Sequence, residues 1–178
     1  LEHRRQRQMC IRDSLKISTR VLILCMRVSQ SVLLLSIEMT LNVVKKHQCH
    51  DGVMTYYSHS SQSVNGEMMF AVFQPPQMKQ GTRLPALTYL AGLTCTQETF
   101  MIKGGAQQFA AEHGIILIAP DTSPRGAGIA GEDDSWDFGT GAGFYIDASK
   151  EEWAKNYRME SYVTNELQKI MHKSLNVD

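Results

Sequence analysis

Residues 87–100 read LTYLAGLTCTQETF, an apolar run that breaks at Ala91-Gly92 just where helix-forming residues begin. A buried strand, a tight glycine turn and a helix together make the place where α/β proteins expose backbone N–H groups to an anion or an oxyanion. Glycine lets the chain leave the sheet that sharply. On one side of the turn, PALTYLA at 85–91 is apolar on both faces, which predicts a buried central strand. On the other, Ala106, Phe109, Ala110 and His113 share one stripe of a helix predicted over 98–113, and Gly114 stands where a C-terminal cap belongs. IILIAP at 115–120 predicts a further short, buried strand.

Upstream, GVMTYYSHSS (52–61) and GEMMFAVFQPP (66–76) are two β-rich runs. The Asn65-Gly66 pair between them is a hairpin signal, so they are expected to pair antiparallel, and Pro75-Pro76 ends the second. Downstream, Met159, Tyr162, Val163, Leu167, Ile170 and Met171 line one face of a helix predicted over 158–172. A hairpin feeding alternating strands and helices implies an α/β sheet with an antiparallel edge. The sequence contains no internal repeat.

The chain has 178 residues, of which 43% are hydrophobic, enough for one domain with a substantial core. Its formal charge of zero hides a division: residues 1–38 hold seven Lys/Arg against three Asp/Glu (net +4), whereas 39–178 hold eleven against fifteen (net −4). An acidic body with scattered lysines argues against nucleic-acid binding. The four cysteines, Cys10, Cys25, Cys49 and Cys95, form no C-x-x-C pair, so neither a zinc ribbon nor a disulfide framework is expected. VLILCMRVSQSVLLLSI at 21–37 has the charge and apolar order of a secretory signal, but Arg27 and Gln30 interrupt it and it is too polar for a transmembrane helix. We therefore read 1–38 as a non-native leader or read-through and 39–178 as the N-terminal part of a single domain.

The stretch from Pro120 to Lys150 is far longer than a plain connection, and long glycine-rich loops in compact domains are usually functional. Its Gly139-Thr140-Gly141-Ala142-Gly143 lacks the spacing and the lysine of a phosphate-binding loop. Glu132, Asp133, Asp134 and Asp137 lack the spacing of a calcium loop. They are expected on a solvated or salt-bridged rim, with Trp136, Phe138, Phe144 and Tyr145 packing the loop down. His47, Cys49 and His50 could approach a zinc ion, yet no fourth ligand stands at suitable spacing, and no metal is expected. Cys95 lies in the turn, where a thiolate would be stabilised; we read it as a partly buried structural thiol beside the site. The pentapeptide G-x-S-x-G, the strained turn that lifts a nucleophilic serine above an α/β-hydrolase sheet, does not occur in the sequence.

AGLTCTQETF (91–100), APDTSPRG (119–126), GEDDSWDFGTGAGFYIDA (131–148) and NYRMESYVTNEL (156–167) resemble successive signature stretches of the S-formylglutathione hydrolases, the esterase D family of serine hydrolases. The likeness runs over about 39–178. Ala91 stands where Ser is common, TYL where YWL is frequent, and HQCHDG where Phe-Gly-Gly is often seen. The resemblance implies an α/β-hydrolase fold, here incomplete because the chain would end before its nucleophile elbow. It implies a cofactor-free thioesterase that releases formate and glutathione from S-formylglutathione in formaldehyde detoxification. By the same resemblance the protein is cytoplasmic, homodimeric when full length, and without nucleic-acid or membrane partners. The Ser, Asp and His of the triad would all lie beyond Asp178, leaving this chain inactive. Leu93 would give one oxyanion-hole N–H, Thr94 and Cys95 would line the site, and Asp133, Asp134 and Trp136 would belong to an active-site loop. Two other readings stay open: a non-catalytic gene fragment or partner-dependent binding module, and a membrane-anchored module led by 21–37.

Overall fold

The computed structural model describes residues 40–78, 82–175 and 177; the leader read over 1–38 lies outside the described residues. Five strands, β1 (Asn42–Cys49), β2 (Gly52–Ser61), β3 (Gly66–Gln74), β4 (Ala86–Thr88) and β5 (Ile116–Pro120), form one sheet in the order β1-β2-β3-β5-β4. The pairs β1–β2, β2–β3 and β3–β5 are antiparallel, while β4 and β5 are parallel. The antiparallel edge and the alternating α/β order are those expected.

The period-2 alternation of β3 and β5 builds two cores. Phe70, Val72, Ile116 and Ile118 face one side of the sheet, against Met159, Tyr162, Leu167, Ile170 and Met171. Ala71, Phe73, Leu117 and Ala119 face the other, against Met101 and Ala110. Both strands are buried on both faces, which is why each reads as a nearly unbroken apolar run.

The expected helix over 98–113 is two helices, α1 (Gln97–Lys103) and α2 (Gln107–His113). Gly104 donates its N–H to Phe100 O and Gly105 then takes φ +60, a left-handed conformation that ends the first helix. The apolar stripe read at Ala106, Phe109, Ala110 and His113 falls on α2 and its N-cap and does not form one buried face: Ala110 is buried, but Phe109 is 62% exposed. Gly114 caps α2 as expected, at φ 67.

β1 was not foreseen. Most of its side chains are exposed, so it carries no apolar alternation. Backbone pairing to β2 makes it a strand, through a turn at His50 and Asp51 with φ 46 and 59; two left-handed residues are the signature of a type I′ hairpin. Lys45 ties it to α1 by an ion pair with Glu98 and lies 4.3 Å from the centroid of the Tyr56 ring. The expectation of a buried central strand at 85–91 is also corrected. β4 has three residues and pairs on one side alone among the described residues, leaving Leu87, Tyr89 and Leu90 between 42% and 50% exposed.

The helix predicted over 158–172 is present as α3 (Met159–Ser161), a π-helical turn (Tyr162–Glu166) and α4 (Leu167–Ser174). All six residues of its predicted face are buried. The pairs Tyr162-Val163, Glu166-Leu167 and Ile170-Met171 repeat every four residues, which drifts from the 3.6-residue α period. The wider turn, closed by Leu167 N–H to Tyr162 O, takes up that drift.

Candidate active site

The turn at 91–96 is where the long loop and the sheet meet. Cys95 N–H donates to Gly92 O at 3.2 Å, closing a four-residue turn in which Thr94 has φ 63. That third position is the one that needs a positive φ in a type II turn, and a β-branched residue there is strained.

Surrounding groups hold the strained turn from several directions. Thr94 N–H donates to Gly141 O at 2.8 Å, and the Tyr145 hydroxyl donates to Ala91 O at 2.8 Å. Cys95 O accepts from the Thr122 hydroxyl at 2.7 Å and from Arg125 Nη2 at 3.3 Å. Arg125 is itself aimed by two bonds to the buried Asp121, 2.7 Å from Nε and 2.9 Å from Nη2; this carboxylate, with a lesser contribution from Asp133, raises the guanidinium above its ordinary pKa. Gly143, at φ +72, lies flat on the Gly92-Leu93 peptide, so that a Cβ there would stand 3.0 Å from Gly92 C and 3.1 Å from Leu93 N. On the far side, Thr96 and Thr99 form a reciprocal capping box at the start of α1. Among the described residues no acceptor takes the Leu93 N–H, and Gly92, Leu93 and Thr94 are exposed.

The structure treats the remaining predicted residues unevenly. Cys95 is half-buried in the turn with its thiol free. Asp133, Asp134 and Trp136 are exposed on the loop, Trp136 at 69%. The expected packing by Trp136 and Phe144 fails, because both are more than half exposed. Trp153 packs the loop instead, edge-on to Phe138 at 5.0 Å and to Tyr157 at 4.8 Å. The four-residue spacing of Trp153 and Tyr157 was the available signal. Glu132 is not on a rim: it is buried, accepting from Gly128 N–H at 2.8 Å, Ala127 N–H at 3.2 Å and the Tyr157 hydroxyl at 3.3 Å. A short carboxylate satisfying loop amides fixes the loop's shape from within.

A second polar cluster has the residue types of a hydrolytic triad without its geometry. Buried His59 places Nε2 3.0 Å from the Tyr162 hydroxyl, and the Ser61 hydroxyl donates 2.8 Å to Glu166, bypassing the imidazole. Burial would raise Glu166, but hydrogen bonds from Ser63, Ser61 and Gln62 outweigh it and hold the carboxyl below its ordinary pKa. Burial lowers His59. The Ser61 hydroxyl donates to a carboxylate made weakly basic by its other hydrogen bonds, and among the described residues no imidazole reaches it to act as the base of a triad. Among the described residues no three His, Cys, Asp or Glu side chains are placed to hold a metal ion; His47 and His50 are exposed near the first hairpin turn.

The sequence profile of the Esterase family matches residues 61–178. The chain belongs to the Esterase family. Within it, the chain is 51% identical over 140 residues to S-formylglutathione hydrolase of Mus musculus, a match that covers 79% of this chain and 49% of the mouse protein. It is 49% identical to the enzyme of that name from Rattus norvegicus, with the same coverage. The solved S-formylglutathione hydrolase of Agrobacterium tumefaciens superposes with a TM-score of 0.73 at 39% identity, covering 77% of this chain and 49% of that one. This esterase chain thus spans about half the length of the relatives it matches, and its sheet and helices are those of the α/β-hydrolase fold.

Proposed function

We propose that this chain carries the first half of an S-formylglutathione hydrolase, a serine thioesterase, and that the Leu93 N–H is one of its two oxyanion donors. The unpaired Leu93 amide, in a turn held on both sides, is the observation that carries the reading. Its relatives of that name extend over about twice the length spanned here, and G-x-S-x-G is absent from these 178 residues. The nucleophilic serine, its acid and histidine, and the second N–H donor accordingly belong to the half not spanned.

The proposed chemistry uses no metal or cofactor. A serine oxygen attacks the thioester carbonyl, whose oxygen becomes an anion and takes the Leu93 N–H. The intermediate collapses, glutathione leaves as its thiol after protonation, and water then hydrolyses the formyl-serine to formate. An amide donor already fixed toward the developing charge needs no reorganisation in the transition state. We further propose a cytoplasmic homodimer for the full-length protein. Among the described residues no helix is long and apolar enough to cross a membrane.

The test compares the 178-residue chain with the full-length protein on S-formylglutathione. Hydrolysis by the longer chain alone is expected. Turnover by the shorter chain would place a nucleophile within it and sink the division of the site.

A further inference from the structure

Resting on that reading, we propose that Tyr145 is the positioning residue of the oxyanion donor: with its hydroxyl on Ala91 O and Gly143 behind the peptide, it sets the direction of the Leu93 N–H. The direction of an N–H is set by the plane of its peptide, here Gly92-Leu93. That plane is fixed by what holds the groups before and after it.

After the peptide, Thr94 N–H and Cys95 O are bonded to Gly141, Thr122 and Arg125. Before it, the Ala91 carbonyl has the Tyr145 hydroxyl as its side-chain donor. The Gly92-Leu93 peptide is itself held by one bond at 3.2 Å, Cys95 N–H to Gly92 O; without the Tyr145 anchor the peptide before it is loosened, and the strain at Thr94 (φ 63) favours a tilt of the turn against that bond. Gly143 leaves no room for a side chain on the loop side of the peptide, since a Cβ there would stand 3.0 Å from Gly92 C and 3.1 Å from Leu93 N. Ala91 itself is 3% exposed, so the bond is shielded from competing water. Burial first, and then the nearby Asp121, Cys95 and Tyr89, push the Tyr145 phenol up from its ordinary value, so it stays a donor throughout the neutral range. Tyr145 reaches the turn from 54 residues along the chain. One function of the glycine-rich loop is thus to deliver Tyr145 and Gly143 to the two sides of one peptide bond.

Tyr145→Phe removes the hydroxyl and keeps the ring. In the full-length enzyme, with p-nitrophenyl acetate as substrate, kcat should fall about five- to tenfold, as expected for one hydrogen bond whose effect is felt in the transition state. KM should stay within about twofold, and an aldehyde or trifluoromethyl-ketone transition-state mimic should weaken by the same factor as kcat. S-methylglutathione, a ground-state mimic, should bind as before. Gly143→Ala, acting on the other side of the peptide, should give the same kcat-only pattern. Unchanged kcat in both folded variants overturns the proposal, as does a loss matched by equal weakening of S-methylglutathione. Leu93→Pro run in parallel separates the two levels. If it abolishes turnover while Tyr145→Phe and Gly143→Ala do not, only the positioning role is lost. If folded Leu93→Pro turns over normally, the donor assignment fails as well.

Discussion

The Glu166 carboxylate and the Ser61 hydroxyl, 105 residues apart in the chain, meet at 2.8 Å in the buried space between the β2–β3 hairpin and the π-helical turn. Gln62 and Ser63 donate their amides to the same carboxylate at 2.9 and 2.8 Å. One ionised group therefore pins the hairpin to the helix. Removing it leaves three donors without partners.

Glu166→Ala should destabilise the protein by about 2–3 kcal/mol, since the buried Ser61 hydroxyl and the partly buried Gln62 and Ser63 amides lose an ionised acceptor together. Glu166→Gln keeps one acceptor oxygen and should cost less. Thermal melts of the two full-length variants read the difference; equal and small losses would show that the clasp is not structural.

The same cluster predicts two acid steps. The His59 pKa is lowered below its ordinary 6.5, mainly by burial and against the pull of Glu166 and Glu67, with Ser60 O, the Tyr162 hydroxyl and the Phe70 ring as its other neighbours. The unfolded chain therefore takes up that proton first, and stability should begin to fall as pH drops below about 6.5. The Glu166 pKa is held below its ordinary 4.5, so its contribution is present above that value and is lost as pH falls through the folded-state pKa. Urea midpoints between pH 7 and 4 should fall along this course in the wild type, and the decline starting near 6.5 should disappear in His59→Asn. A midpoint that rises on acidification contradicts both assignments.

At the turn, Leu93→Ala should cost little beyond packing, because the amide remains. Leu93→Pro removes the donor and should lower turnover by roughly 10²–10³-fold. The melting temperature is measured alongside to separate lost folding from lost catalysis. Cys95→Ser should retain most activity, since the turn uses that residue's backbone carbonyl. A Cys95→Ser variant without activity would make the thiol chemically essential.

Between the two short helices, Gly105→Ala places a side chain at φ +60 and should destabilise by about 1 kcal/mol. Gly105→Asn, which tolerates the left-handed region better, should lose less. The ordering of the two midpoints in urea checks that the helix break belongs to the fold.

The hairpin at 52–74 and the buried face of 159–171 were legible because each depends on local periodicity: alternation for a strand, a near-four-residue repeat for a helix. β1 was not, since Val43, Val44 and Lys46 show no buried face and pairing to β2 alone holds them in line. PALTYLA was legible as a strand but not in its surroundings. Apolar faces report what a strand can bury, while its neighbours in the sheet decide what it does bury. Trp136 and Glu132 were read the wrong way round for a related reason: in an irregular loop no periodicity says which side chains turn inward, and the amides of Ala127 and Gly128 drew in the carboxylate.

By itself the sequence determined the α/β order of elements, the sharp exit from the sheet at Ala91-Gly92 and the stretches that mark an S-formylglutathione hydrolase relative, because all of these lie in contiguous residues. Only the tertiary structure decided that the Leu93 amide stays open while the two that follow it are taken. Thr94 N–H is taken by Gly141, Cys95 N–H by Gly92, and Leu93 N–H by no acceptor among the described residues. The three amides are equivalent donors along the chain; Cys95 finds its acceptor within the turn, whereas that of Thr94 is brought by long-range folding from a loop nearly fifty residues away.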